Sequence, residues 1–286
     1  MTTALAPAPA TPTRAAAADS PYRLSFARLV ASEWIKFTSL RSTWWSIGLV
    51  AVVSIGLSLL MAFSYAAFAG DMPPMSVEEA NRQAVQVVVF STVLTQLLAV
   101  VLGTITVTGE YSTGMIRSTL TAAPGRVGAL FAKALVVAVT MLVTSAVVFA
   151  IAAAVSGPVL PTGAIDLSDP DSSLMPLLGA TVYLAIISVV GVGIGFIIRN
   201  GPGALAAGIG LVFVAPILVL FFPRLDSFQW IHDAASYLPS NAGQSLFMGS
   251  PMTGELLEPV PALVTLAAWA VVALAGGIAV LKTRDA

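Results

Sequence analysis

The sequence predicts an all-α membrane protein with six transmembrane helices. Of its 286 residues, 57% are hydrophobic and only 9% are charged, and the mean hydropathy is +0.93. Soluble domains carry about 25% charged residues. Six apolar runs also reach the roughly 20 residues that a helix needs to cross about 30 Å of hydrocarbon. Such runs are helical, because only helices satisfy their backbone hydrogen bonds within one lipid-exposed segment.

The six apolar runs are almost free of charge. They contain no Asp, Glu, Lys, Arg or His except Lys133, near the start of the third run. A charge at the bilayer centre costs at least about 2.5–3.5 kcal/mol, so this segregation supports the assignment. The runs cover approximately residues 44–68, 84–107, 128–156, 174–198, 203–222 and 260–281.

The segment before these runs has two parts. Residues 1–21 are rich in Ala, Pro and Thr, and prolines interrupt any apolar core of the kind that a signal peptide needs. We expect a disordered cytoplasmic tail there, followed by a single transmembrane domain over residues 22–286.

Residues 22–42 predict an amphipathic helix at the membrane interface. Apolar residues recur there at helical spacing, and basic residues fall elsewhere around the helix. Trp residues in and after the segment favour the level of the headgroups. The alternative is a water-exposed extension of the first span. The interfacial prediction rests on Phe26, Val30, Trp34, Lys36, Phe37 and Arg41.

The distribution of basic residues predicts the orientation. All of the 13 Lys and Arg residues except Arg82 and Arg224 fall on the side of the two termini, and most of the 14 acidic residues fall on the other. Because Lys and Arg are enriched on the cytoplasmic side, both termini, the loop 109–127 and the turn 199–202 are predicted to be cytoplasmic.

Three segments are predicted to lie outside, at residues 70–83, 157–173 and 223–259. The third has a spacing that allows two short helices, near Phe228–Tyr237 and Ala242–Met248. Their apolar faces could enter the outer edge of the bilayer. The alternative is an irregular external loop.

Small residues predict how the spans pack. Gly191 and Gly195 have the spacing that allows close helix approach, which we interpret as packing within the chain rather than a dimer face. The tight connection 199–203 predicts that the fourth and fifth spans form an antiparallel pair. Pro216 predicts a kink in the fifth span.

Polar residues in the second span permit two interpretations. Gln86, Thr92, Thr95 and Gln96 are spaced so that some share a helix face. They could form hydrogen bonds between helices, or they could line a passage. The apolar runs contain no carboxylate that could carry protons or sodium ions, which disfavours a secondary transporter.

The sequence lacks the motifs of several enzyme classes. No glycine is followed by lysine, so a phosphate-binding Walker A loop is impossible. HExxH and GxSxG motifs are also missing. The chain has no Cys and a single His, which disfavours a metal site. We therefore expect no catalytic, cofactor or metal site in this chain, and any ATP hydrolysis would occur in a partner.

The loop 109–127, GEYSTGMIRSTLTAAPGRV, is a short polar segment between two long apolar runs. It contains Glu110, Arg117 and Arg126, with Lys133 just beyond. A Pro-Gly pair ends its helical part. The loop could hold a partner in the water phase. Alternatively, its apolar residues rest on the membrane and its arginines are anchors.

Three patches together carry a family resemblance. In their order and on their predicted sides of the membrane, they resemble the permease subunit of type-2 ATP-binding cassette transporters, common in bacteria with high-GC genomes. The resemblance covers nearly all of residues 22–286 and implies the bacterial cytoplasmic membrane. The patches are Glu33-Trp34-x-Lys36-x-x-Ser39-x-Arg41-Ser42, Glu110-Tyr111-x-x-Gly114-Met115-Ile116-Arg117-x-x-Leu120 followed by Pro124-Gly125-Arg126, and Tyr237-Leu238-Pro239-Ser240-Asn241.

The resemblance implies a role for each segment. Residues 22–42 correspond to the connecting helix on the inner leaflet, and the 109–127 loop holds the coupling helix that docks into a groove of a separate ATPase. Glu110 and Arg117 would supply opposite charges, and Gly114 would permit close backbone approach. The predicted coupling residues are Glu110, Tyr111, Gly114, Met115, Ile116, Arg117 and Leu120.

The resemblance also implies an assembly of two permease and two ATPase subunits, with ATP and Mg²⁺ bound by the ATPase. The second and fifth spans would line the substrate path, and export is the expected direction. The substrate is not indicated. The alternative is a regulatory or scaffold membrane protein that binds a cytoplasmic partner through the same loop. The predicted path residues are Gln86, Thr92, Thr95, Gln96 and Phe213.

Overall fold

The computed structural model describes residues 25–68, 75–122, 125–161, 163–223, 225–248 and 255–283. The predicted tail, 1–21, and Pro124 of the loop lie outside these ranges. Within them the chain is helical without strands, and six segments are long and apolar enough to cross a membrane, which confirms the coarse prediction. The six segments are Arg41–Phe68, Val77–Thr113, Val127–Ser156, Leu174–Ile198, Gly201–Val219 and Pro259–Thr283.

Two of the six spans, the second and the fifth, consist of more than one helix, and shorter helices lie between the spans. A π-helical turn, Gly210–Val214, joins α8 to α9, and a 3₁₀ turn, Asp226–Phe228, precedes α10. The α-helices are α1 (Phe26–Ser39), α2 (Arg41–Phe68), α3 (Val77–Val89), α4 (Thr92–Thr113), α5 (Met115–Ala122), α6 (Val127–Ser156), α7 (Leu174–Ile198), α8 (Gly201–Ile209), α9 (Ala215–Val219), α10 (Gln229–Ser236), α11 (Pro239–Phe247) and α12 (Pro259–Thr283).

The second span is longer than the run 84–107 and is broken between α3 and α4. Ser76 caps α3: its hydroxyl accepts from the Glu79 amide, and the Glu79 carboxylate accepts from the Ser76 amide. At the break, the Ser91 hydroxyl donates to Val88 O and the Thr92 hydroxyl to Val89 O. Hydroxyls that bond to the preceding turn compete with the helical ladder and bend a helix.

Helices α4 and α7 form the centre of the bundle through contacts between small residues. A Cβ atom at Gly103 of α4 would lie 2.0 Å from Ser188 O of α7, and one at Gly191 would lie 2.4 Å from Val100 O. Gly195 faces Val107 in the same way. The prediction that Gly191 and Gly195 mediate packing within the chain is confirmed.

The opposite side of α7 holds α12, where a Cβ at Gly193 would lie 2.5 Å from the backbone of Ala273. The fifth span, α8 to α9, also packs on α4, with Gly208 against Val100. Helices α7 and α8 contact each other, as predicted for this pair. Each of them contacts α4 more extensively than it contacts the other.

Pro216 lies just after the π-helical turn in the fifth span. Proline has no amide hydrogen, and its ring clashes with the carbonyl four residues earlier. The helix is wider at this point, because the Ala215 amide donates to Gly210 O, five residues earlier. The irregularity predicted at this proline therefore takes the form of a π-helical turn.

Helices α10 and α11 occupy the segment in which two short helices were expected. Helix α11 is almost wholly buried against α7 and α12. A Cβ at Gly243 would lie 2.2 Å from the Tyr183 ring of α7, so the small residue permits the contact. The side-chain amide of Asn241 donates to Ala235 O at 2.8 Å, which stabilises the turn between the two helices.

Candidate functional site

Helix α5 follows the second span directly, with only Gly114 between them. Gly114 has φ +74°, a left-handed conformation that ends α4 and that glycine adopts most readily. No atom lies within 4 Å of a Cβ built there, so the junction is open to an approaching surface. The junction places α5 at the end of the bundle that also carries α1.

The exposed face of α5 is nearly neutral. Met115 and Arg117 are exposed and Ile116 is buried, while Leu120 is half-buried against the core. Around them the exposed surface consists of small hydroxyl side chains. This surface is the candidate for binding a partner, and we call it the docking face. It consists of Ser112 and Thr113 at the end of α4, Gly114, and Met115, Arg117, Ser118 and Thr121 of α5.

Glu110 does not belong to the docking face. Only 4% of its surface is exposed, and its Oε1 accepts from Lys133 Nζ at 2.8 Å and from Lys36 Nζ at 3.2 Å. Sequence reasoning grouped Glu110 with Arg117 as opposite charges for a partner. In the structure Arg117 points outward and Glu110 is held by lysines of its own chain.

Glu110 is part of a buried four-charge cluster, formed by Glu33, Lys36, Glu110 and Lys133. Lys133 Nζ lies 2.5 Å from Glu33 Oε2, and Lys36 Nζ lies 2.6 Å from Glu33 Oε1. Lys36 also donates to the Thr119 hydroxyl of α5 at 2.9 Å. The cluster therefore joins α1, α4, α5 and α6 at one point.

The cluster is electrically balanced, with two carboxylates and two ammonium groups. Burying charges is costly, but the mutual pairing of these groups and the hydrogen bonds between them offset much of that cost. Burial alone would lower the pKa of Lys36. The hydrogen bond and charge of Glu33, followed by those of Glu110, outweigh burial and raise the Lys36 pKa above its ordinary value.

Lys133 could have led to its partners from the sequence. A lone cation in an apolar run needs an acid within reach, and few acids share its predicted side of the membrane. Two of those, Glu33 and Glu110, are the ones that the fold brings to it. Glu33 and Glu110 are far from Lys133 along the sequence, so their pairing with it was not predicted.

Helix α1 lies along α6, with one side buried against the bundle and the other exposed. Phe37 is 5% exposed and Val30 is half-buried, whereas Phe26 and Trp34 are about half exposed. Lys36 belongs to the cluster, and exposed Arg41 begins α2. Ser25 caps the helix by accepting from the Arg28 amide.

The residues predicted to line a path occupy different environments. Thr92, Thr95 and Gln96 are buried. The two threonine hydroxyls donate to carbonyls of the same span, Val89 O and Ser91 O, and the Gln96 amide oxygen accepts from the Tyr183 hydroxyl of α7. Gln86 is exposed and donates to Met248 O at 3.4 Å. Phe213 lies half-buried in the π-helical turn.

A cavity of about 370 Å³ opens beside the charged cluster, between α1, α4 and α6. Glu33 and Lys133 form one wall, and Phe37, Ile105 and Val137 line the apolar remainder. Among the residues that the structure describes, no group of three His, Cys, Asp or Glu side chains could hold a metal ion.

Comparison with known proteins finds no matching family model and no matching curated protein.

Proposed function

We propose that this chain is the membrane-spanning permease subunit of an ATP-binding cassette transporter, acting as an exporter. In this proposal the docking face of α5 enters a groove of a separate ATPase subunit. The observation that supports it best is the exposed α5, which is attached through one glycine to a spanning helix. The buried charged cluster beneath α5 gives a mechanical reason for this arrangement, because it connects the docking helix to α1 and α6.

The proposed mechanism divides the chemistry between subunits. ATP and Mg²⁺ bind to the ATPase pair, whose closure displaces α5. The displacement reaches α4 through the Gly114 junction and reaches α1 and α6 through Glu110 and Lys133. Two permease copies alternate between inward-facing and outward-facing states, and this chain hydrolyses nothing.

The proposed orientation puts α1 and α5 at the cytoplasmic side of a bacterial cytoplasmic membrane. The asymmetry of Lys and Arg supports this orientation. Helix α1 then lies in the inner interface, with Phe26 and Trp34 exposed toward the headgroups. Helices α10 and α11 lie at the outer side.

The substrate path is proposed to lie between the two permease copies, along the second and fifth spans. Gln86 and Phe213 retain exposed surface that could face it. Thr92, Thr95 and Gln96 are engaged inside the protomer, so they shape the second span rather than contact substrate in this state.

Co-purification in nanodiscs with the ATPase encoded beside this chain tests the proposal. We expect a stable complex in which the permease changes the rate of ATP turnover. Arg117→Glu should abolish the complex, while Arg82→Glu, the same charge change in the exposed Glu78 pair at the other end of the second span, should not. Binding without any change in turnover or transport would favour the scaffold alternative.

A further inference from the structure

Two arginines have backbone conformations that are unusual for their residue type. Arg126 has φ 46° and Arg199 has φ 60°. Among the described residues, these two are the non-glycine residues with positive φ. Side chains with a Cβ are uncommon in this region, and such outliers persist only where their surroundings hold them.

Both arginines donate to the same helix end. Arg126 Nη1 donates to Leu281 O at 2.9 Å, and Arg199 Nη2 donates to Val280 O at 2.9 Å. These carbonyls belong to the last turn of α12, where carbonyl oxygens lack partners within the helix. Cationic donors are favoured at that end by the helix dipole.

Arg199 also contacts the end of the second span. Its guanidinium lies 5.2 Å from the centre of the Tyr111 ring, a cation–π distance. Tyr111 meets Phe196 of α7 edge-on, with ring centres 6.5 Å apart. We call this set of contacts, from Arg126 and Arg199 to α12 and Tyr111, the arginine clamp.

A simple turn does not require these side chains. Arg199 occupies the left-handed position at the end of α7, where Gly or Asn is usual. Arg126 directly precedes α6 and lies in a tight turn, in which the Val127 amide donates to Gly125 O. Lys282, a cation at the same end of α12, is exposed and serves neither contact.

We propose that Arg126 and Arg199 are positioning residues that lock the connections after α5 and α7 to the end of α12. A displacement of α5 is then passed to α7 and α12 as well as to α1 and α6. The transmitted displacement rests on the proposed function, but the lock itself is a property of this chain alone.

The lock can be measured in the isolated protein. The chain has no cysteine, so Ser118→Cys on α5 and Thr283→Cys on α12 accept spin labels at unique, exposed sites. In nanodiscs we expect one narrow distribution of distances. The double variant Arg126→Asn, Arg199→Asn should lose it, because Asn tolerates the left-handed backbone of position 199, and the shorter side chain reaches neither carbonyl. Lys282→Gln should retain it.

A second readout separates positioning from folding. The double Asn variant should keep the melting temperature of the parent within the range of the Lys282→Gln control and should still co-purify with the ATPase, yet lose the change in ATP turnover that the permease causes. An unchanged distance distribution would overturn the clamp, and normal turnover would overturn its role in passing the displacement of α5 to α7 and α12. If no ATPase binds the unaltered permease, the proposed function fails while the distance measurement still decides the clamp.

Discussion

Lys133 shows how much a single buried charge can determine in this molecule. Its ammonium group is almost fully buried and contacts both carboxylates of the cluster. Removing one partner of a buried ion pair costs about 3–5 kcal/mol, because the other charge stays buried and uncompensated. We therefore expect Lys133→Met to lower the melting temperature strongly, measured by thermal denaturation in nanodiscs.

Two further variants make this prediction specific. Adding Glu110→Gln to Lys133→Met removes the excess negative charge and should restore part of the stability. Arg82→Met breaks an exposed pair and should cost only about 0.3–0.5 kcal/mol. Equal losses for Lys133→Met and Arg82→Met would show that the cluster is not buried as described.

Lys36 gives the cluster a defined dependence on pH. Its pKa in the folded protein is raised above 10.5 by Glu33 and Glu110, despite the opposing effect of burial. A raised pKa stabilises the fold fully below the unfolded value and loses that effect as pH rises through the folded value. The stability difference between the parent and Lys36→Met should thus be constant at neutral pH and shrink above about 10.5.

Melting curves of the two proteins over an alkaline series would test this prediction. A difference that already declines as the pH rises just above neutrality would contradict it, because a group with a lower pKa than Lys36 would then be titrating.

Sequence reasoning found Lys133 but not its role. A solitary cation in an apolar run is visible without a structure. Its contact with Glu33, in a helix far away along the chain, depends on how α1 lies against α6. The polar loop predicts a contact between Glu110 and a partner. It gives no sign that the buried charge of Lys133 requires this carboxylate.

At the scale of single elements, α1 is fixed by one side of its surface. Phe37 is buried against the bundle, whereas Trp34 is about half exposed. Truncating a buried Phe costs about 3–5 kcal/mol. We expect Phe37→Ala to accelerate hydrogen exchange of α1 amides and Trp34→Ala to leave it unchanged. Similar exchange in both variants would mean that α1 is not held by this contact.

The contact between α4 and α7 predicts the effect of one methyl group. Gly103→Ala would place its Cβ 2.0 Å from Ser188 O, so the two helices must separate. Gly56→Ala in α2 meets nothing within 4 Å and should be neutral or stabilising by up to about 1 kcal/mol through helix propensity. Gly103→Ala should therefore lower the melting temperature, whereas Gly56→Ala should leave it unchanged or raise it. A tolerated Gly103→Ala would contradict the packing.

The helices themselves were largely predictable, whereas their partners and breaks were only partly so. Gly191 and Gly195 stood out by their spacing, and Ala99 with Gly103 in α4 repeats that spacing, a signal that could have identified the partner helix. The break at Phe90 and Ser91 had no comparable signal. There the hydroxyls of Ser91 and Thr92 donate to carbonyls of the preceding turn, within an otherwise apolar run.

At the scale of the whole molecule, the orientation can be tested directly. A cysteine on the docking face, Ser118→Cys, should react with a membrane-impermeant maleimide only in inverted vesicles, because the basic end is expected inside. Ser168→Cys, in the exposed loop before α7, should react in intact cells. Labelling of both positions from the same side would refute the six-span topology.

The length of the second span has a consequence for signalling across the membrane. Val77–Thr113 contains 37 residues, which at about 1.5 Å per residue extend over roughly 55 Å, well beyond about 30 Å of hydrocarbon. At its far end, Asn81 donates to Asp166 O and the Ser172 hydroxyl and accepts from the Asp166 amide. Helices α3 and α4 thus form one long, bent span with a fixed contact near each end. In the proposed orientation, a ligand bound to the 163–173 loop on the outer side would restrain the movement of α5 on the cytoplasmic side.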